Sequence, residues 1–214
     1  MGKIIQIKKY NITKGEKMYR DFLCEIRKKP KDISDMPKRA EEVLEKFNVN
    51  NYSLGVPIVD ILTKLGFEIF QSNLKPDGLS AYIAVNPEFE DLYGSNKITC
   101  VHIKKSVGHK RFALAHELGH YFFNCNENEC IPYYNTYFPG SEGNDIDEKR
   151  ANKFAANLLM PEREFRKKFE EYNGLQSKAD IVKALEKYFV VSSTAILKRF
   201  DELGIDKFKN TVET

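Results

Sequence analysis

This chain of 214 residues lacks most of the features that mark a special environment. No uninterrupted apolar run approaches the ~18 residues that span a bilayer, so no membrane helix is expected. The stretch from Met1 to Gly15 carries Lys3, Lys8, Lys9 and Lys14 but no apolar segment, so no signal peptide is expected. Cysteine is sparse. Cys24, Cys100, Cys125 and Cys130 are too few to staple a chain of this length, and free thiols in a reducing cytoplasm are expected. An excess of one charge is missing as well. With 34 Lys+Arg against 31 Asp+Glu the net charge is +3, which makes no case for direct nucleic-acid binding. Internal repeats and low-complexity tracts are absent. What remains is a chain that is 42% hydrophobic and 12% aromatic, enough for a packed core in one domain with an appendage.

The charge is unevenly spread. Between Phe112 and Glu148 there are seven acidic residues (Glu117, Glu127, Glu129, Glu142, Asp145, Asp147, Glu148) and no Lys or Arg. A solvated acidic loop or a field around a cation would both produce this. Residues 1–35 form a polar, basic N-terminal segment with no assigned element, and Arg27-Lys28-Lys29-Pro30-Lys31 reads as an exposed basic linker. Helices are predicted at Pro37 to Phe47 and at Val56 to Leu65, the second entered at Pro57 and stopped by Gly66. Phe67–Gln71, Leu79–Asn86 and Ile98–Ile103 are β-rich and separated by turn signals, predicting a small sheet. A helical stripe follows from about Gly108 to Asn124, then a turn-rich insert over 124–146, then a helix from about Ile146 to Met160 halted by Pro161. Helical stretches at 161–172, 177–188 and 192–203 close the chain, the last two around Val190-Val191-Ser192 like a helix-turn-helix. The fold class is α+β, divided as 1–35, 36–172 and a helical subdomain at 173–214.

The chemistry concentrates in His116-Glu117-Leu118-Gly119-His120, which holds two of the four histidines. Two His at i and i+4 share one helix face, so both imidazoles can reach one ion. Glu117 stands beside them, suited to take a proton from water. A catalytic Zn²⁺ needs a third protein ligand. Asp145, Asp147, Glu148, Cys125, Cys130, His102 and His109 are candidates, and Glu148 is favoured on helical geometry. It shares a face with Ala151, Asn152 and Ala155, small residues that let its helix pack on the His helix. Asn152 then falls where it can support a ligand, and Asp147 near the helix start suits an N-cap. For the oxyanion, Tyr133, Tyr134, Tyr137, His109 and Arg111 are candidates. The acids of the insert predict a roof over the cleft that favours a basic substrate segment.

Two strings together resemble the ImmA/IrrE family of bacterial and phage metallopeptidases. They are Arg111-Phe112-Ala113-Leu114-Ala115-His116-Glu117-Leu118-Gly119-His120 and Glu148-Lys149-Arg150-Ala151-Asn152-Lys153-Phe154-Ala155-Ala156-Asn157-Leu158-Leu159-Met160-Pro161. The resemblance extends upstream to about Val56 and downstream over Ile181 to Gly204. It implies a zincin-like core, one Zn²⁺ per chain on His116, His120 and Glu148, and Glu117 as the catalytic base. It also implies a protein substrate, a helix-turn-helix transcriptional repressor. The competing expectation is a non-proteolytic sensor that uses the same fold to bind a partner or DNA.

Overall fold

In the computed structural model, residues 5–6, 16–75, 78–125, 145–174 and 177–205 are described. In chain order the elements are β1 (Ile5–Gln6), α1 (Glu16–Lys28), α2 (Met36–Lys46), α3 (Ile58–Lys64), β2 (Glu68–Ser72), β3 (Ala81–Val85) and α4 (Phe89–Tyr93). They continue with β4 (Lys97–His102), α5 (Val107–Phe123), α6 (Asp145–Leu159), α7 (Glu162–Tyr172), α8 (Lys178–Phe189) and α9 (Ser193–Glu202). The α+β class and the order of its central elements follow the sequence pattern. The insert lies outside the described residues, and with it the roof expected there.

The sheet runs in the order β1-β2-β4-β3, with β2 and β4 parallel and the outer pairs antiparallel. One face of β3 places Ala81, Ile83 and Val85 in the main core, while Ala84 joins Phe70, Leu79, Ile98 and Cys100 on the other face. That alternation is the period-2 signature of a strand buried on both sides. α4 closes over the second face, where Phe89 and Tyr93 pack, and ends at Gly94 in the left-handed conformation (φ 73°).

α5 is the central helix. Its side chains from Ala113 to Phe123 are buried all round except Glu117, the pattern of a helix sunk in a core rather than lying on a surface. Ser106 caps it, its hydroxyl accepting from the His109 N–H. α6 packs directly across α5. A Cβ added at Gly119 would lie 3.1 Å from Ala151 Cα and 3.2 Å from Phe154, so a glycine facing an alanine sets how closely the two helices approach.

Three findings correct or extend the sequence reading. The basic cluster is no exposed linker: α1 buries Phe22, Leu23 and Ile26, and it delivers the cluster to the C-terminal end of α5. There Arg27 donates to Tyr121 O at 3.0 Å and Lys31 to Phe123 O at 3.1 Å. Two cations thus satisfy carbonyls that a helix end leaves open. The expectation of reduced thiols holds for Cys24 and Cys100 but not for Cys125, which is disulfide-bonded directly after the α5 cap. Finally, α8 and α9 share the main core through Ile181, Leu185, Phe189, Ile196 and Phe200.

The turn between α8 and α9 is locked to the start of α5. Val190 adopts φ 53°, an uncommon conformation for a β-branched residue. Its carbonyl accepts from Arg111 Nε at 3.0 Å, and the same guanidinium donates to Val56 O at 2.5 Å. A Cβ at Gly108 would sit 2.5 Å from the Val191 carbonyl carbon, so only glycine allows this approach. Arg199, 1% exposed, ties α9 to α6 by donating to Met160 O and Asn157 Oδ1.

Candidate metal centre

His116 and His120 project from one face of α5 into the seam with α6, where Glu148 rises from the first turns of the facing helix. His116 Nε2 and His120 Nε2 lie 3.0 Å apart. Glu148 places one oxygen 3.3 Å from the first nitrogen and the other 3.1 Å from the second. Among the described residues this is the group of His, Cys, Asp or Glu side chains that could hold a metal ion. Both imidazoles are buried and the carboxylate is half-buried.

The donor set fits zinc on its own geometry. Four ligands at about 2.0–2.1 Å in a tetrahedron stand about 3.3 Å from one another, close to the separations observed. The tautomers agree. His116 Nδ1 lies 3.1 Å from Asn152 Oδ1 and His120 Nδ1 lies 3.3 Å from Asn124 Oδ1. An amide oxygen accepts from an Nδ1–H, the tautomer that leaves each Nε2 lone pair free for an ion. Two such lone pairs beside a carboxylate call for a cation between them. The same crowding shows in the titrations. Glu148 is held far below the ordinary carboxylate range: burial opposes its charge, but the two histidines outweigh it. His120 is raised, because burial is outweighed by Glu148 and Glu117.

Glu117 lies outside that triad, on the wall of a cleft of about 920 Å³ that opens onto His116. The Ile83 backbone N–H, on β3, favours its charged form. Burial raises its carboxyl above the usual value, and Glu148 adds to that rise, against the pull of the two imidazoles. The cleft continues past Ser80 and Ala81 at the start of β3 and ends against Thr194 and Lys198 of α9.

The other sequence candidates sort cleanly. Asp147 is inside α6, not at its cap, and pairs with Arg150 at 2.5 Å. His102 Nδ1 accepts from the Lys104 N–H beyond β4. Cys125 is disulfide-bonded and offers no thiolate. Cys130 and the side chain of Asp145 lie outside the described residues, as do Tyr133, Tyr134 and Tyr137. Arg111 spends its guanidinium on two backbone carbonyls and is not an oxyanion donor. His109 does line the cleft, with Nε2 2.7 Å from Ser80 Oγ. Asn152 sits where the sequence suggested. Asn124 was overlooked, although its i+4 spacing from His120 was a usable signal. Nothing in the sequence marked the Ile83 N–H.

A solved structure of a Mycobacterium tuberculosis transcriptional regulator aligns with a TM-score of 0.51 at 16% identity, covering 87% of this chain and 51% of that one. The chain therefore spans about half the length of that protein, and the likeness is one of fold. No curated protein matches the chain. The sequence profile of the IrrE N-terminal-like domain, a peptidase family, matches residues 63–201, from α3 through the metal centre into α9. With that match, and with α5 and α6 inside it, the chain belongs to the IrrE N-terminal-like family.

Proposed function

We propose that this protein is a zinc-dependent endopeptidase that cuts a peptide bond in a protein partner, a helix-turn-helix transcriptional repressor. The single observation that carries the reading is the convergence of His116, His120 and Glu148 with Glu117 beside them, open to a cleft. Membership of a peptidase family supports the reaction class. The partner follows from the family resemblance, and the cytoplasm as its location from the sparse cysteine of the sequence. Among the described residues no helix is long and apolar enough to cross a membrane.

His116, His120 and Glu148 would hold one zinc ion per chain. When bound, the ion would polarise the scissile carbonyl and make water acidic enough to ionise near neutral pH. Asn152 and Asn124 fix the imidazoles in the tautomer that turns Nε2 inward. Glu117 accepts a proton from the attacking water and returns it to the leaving amine nitrogen. The Ile83 N–H favours the ionised carboxylate and so the base. β3 pairs only with β4 among the described residues. Its outer edge can take an extended substrate by main-chain hydrogen bonding. Residues 36–172 form the catalytic body in this reading, with 1–35 and 173–214 as supporting segments.

One observation favours the non-proteolytic alternative. Thr194, Ala195 and Lys198, on the second helix of the helix-turn-helix-like pair, line the cleft, so a partner could be gripped without being cut. The decisive experiment is incubation of the zinc-loaded protein with the repressor encoded beside it, read by intact mass. Two fragments summing to the repressor plus water support the peptidase. A stable complex with intact repressor supports the sensor.

A further inference from the structure

We propose that the cleft between the metal centre and α9 is a recognition site for an acidic segment of the substrate. This rests on the peptidase reading for the identity of the ligand, a peptide, but not for its charge. Five cationic side chains line the cleft: Lys105, Lys149, Lys153, Lys198 and Arg199. The carboxylates of the lining are Glu117 and Glu202. Glu117 stands at the metal centre, and Glu202 is shared between Lys153 and Arg199. Glu202 against Lys105, Lys153, Lys198 and Arg199 leaves this end of the cleft positive.

Lys105 and Lys198 carry the proposal. Neither has a carboxylate within ion-pair distance among the described residues. Lys198 lies one turn beyond Thr194 on the same face of α9, is exposed and lines the cleft. Lys105 immediately precedes Ser106, the cap of α5. Ser106 and Ser192, the caps of α5 and α9, both line the cleft. The contact of Gly108 with Val191 and Ser192 sets the two helix starts side by side. The two helix N-termini add positive potential at the Lys105 end of the cleft.

The acids of the insert suggested a basic substrate segment, and that expectation belongs to another part of the chain. The insert lies outside the described residues, and the described walls have the opposite sign. The form of the site points to a peptide. It is concave and continuous with the metal centre, so an extended chain fits it and a nucleic-acid duplex does not.

The test reads binding, not turnover. The zinc-loaded full chain carrying Glu117→Gln is titrated with fluorescent twelve-residue peptides identical except for Glu, Gln or Lys at four central positions. Anisotropy should show the Glu peptide binding about tenfold tighter than the Gln peptide at low salt, the Lys peptide weakest, and the gap closing as salt rises. Lys105→Glu with Lys198→Glu should reverse that order, and the milder Lys105→Gln with Lys198→Gln should flatten it. Equal binding of the Glu and Gln peptides overturns the proposal. So does a preference that survives both double variants, or a DNA duplex that displaces the Glu peptide and binds more tightly. Cleavage is scored separately by mass with the zinc-loaded wild type. A Glu peptide bound through these lysines yet left uncut supports the site and counts against the peptidase reading alone.

Discussion

The Nδ1 of His116 lies 3.1 Å from Oδ1 of Asn152, a side chain that belongs to the same helix as Glu148. One helix therefore supplies both the carboxylate that meets the Nε2 side of the imidazole and the amide that holds its far side. The proton position of His116 depends on how α6 is seated against α5. Groups that orient metal-binding imidazoles typically contribute 10–100-fold to metal affinity.

Replacing that amide should show it. Asn152→Ala and Asn124→Ala are each expected to weaken zinc binding by about 10–100-fold while leaving the fold intact. Competition with a chromophoric chelator measures this directly. Affinity unchanged in both variants would mean that the amides do not set the tautomer.

Glu117→Gln is expected to keep one zinc per chain, by metal analysis, and to lose hydrolysis by at least about 10²-fold. The substitution is nearly isosteric and removes only the ability to take up a proton. A variant that binds no metal would make Glu117 a ligand instead of a base.

Glu148 and Asp147 are adjacent but differently employed. Glu148 faces both imidazoles, whereas Asp147 is paired with Arg150. Glu148→Ala should release zinc and abolish activity. Asp147→Ala should keep both and cost at most about 1 kcal/mol, the scale of a partly exposed ion pair. Zinc titration of the two variants separates them, and a metal-free Asp147→Ala protein would reverse the assignment.

Arg199→Ala removes the donor for two buried acceptors, Met160 O and Asn157 Oδ1. Each unsatisfied acceptor costs about 1–3 kcal/mol, so a loss of about 3 kcal/mol is expected in urea unfolding. The damage should reach the metal centre as well, because Asn157 belongs to α6. A loss under about 1 kcal/mol would show that water replaces the guanidinium.

Acid should loosen the same junction. Burial works against the charge of Glu202, but Lys153 and Arg199 outweigh it, so its carboxyl titrates below the ordinary 4.5. A depressed folded value stabilises the protein above pH 4.5 and is lost as pH falls through the folded value. The melting-temperature gap between wild type and Glu202→Gln should therefore be full near pH 7 and shrink below about pH 4.5. A gap constant down to pH 3 would show that the ion pairs add nothing.

The sequence by itself determined which residues could do chemistry, because the signals are local. The i, i+4 spacing of His116 and His120 needs only helix periodicity, and Ala151, Asn152 and Ala155 needed only the same rule to mark the face that Glu148 shares. Gly66 and Pro161 bounded their helices through the backbone alone. Tertiary structure decided what lies across from these residues. Arg27 and Lys31 read as a loose basic run until α1 carried them to the open carbonyls of α5, about ninety positions away in the chain. Arg111 looked equally fit for an oxyanion until the Val190 and Val56 carbonyls claimed it. The influence of the Ile83 N–H on Glu117 and the place of Lys198 on the cleft wall have no local signature at all. Charge and hydrogen-bond partners depend on long-range packing, which periodicity along the chain cannot encode.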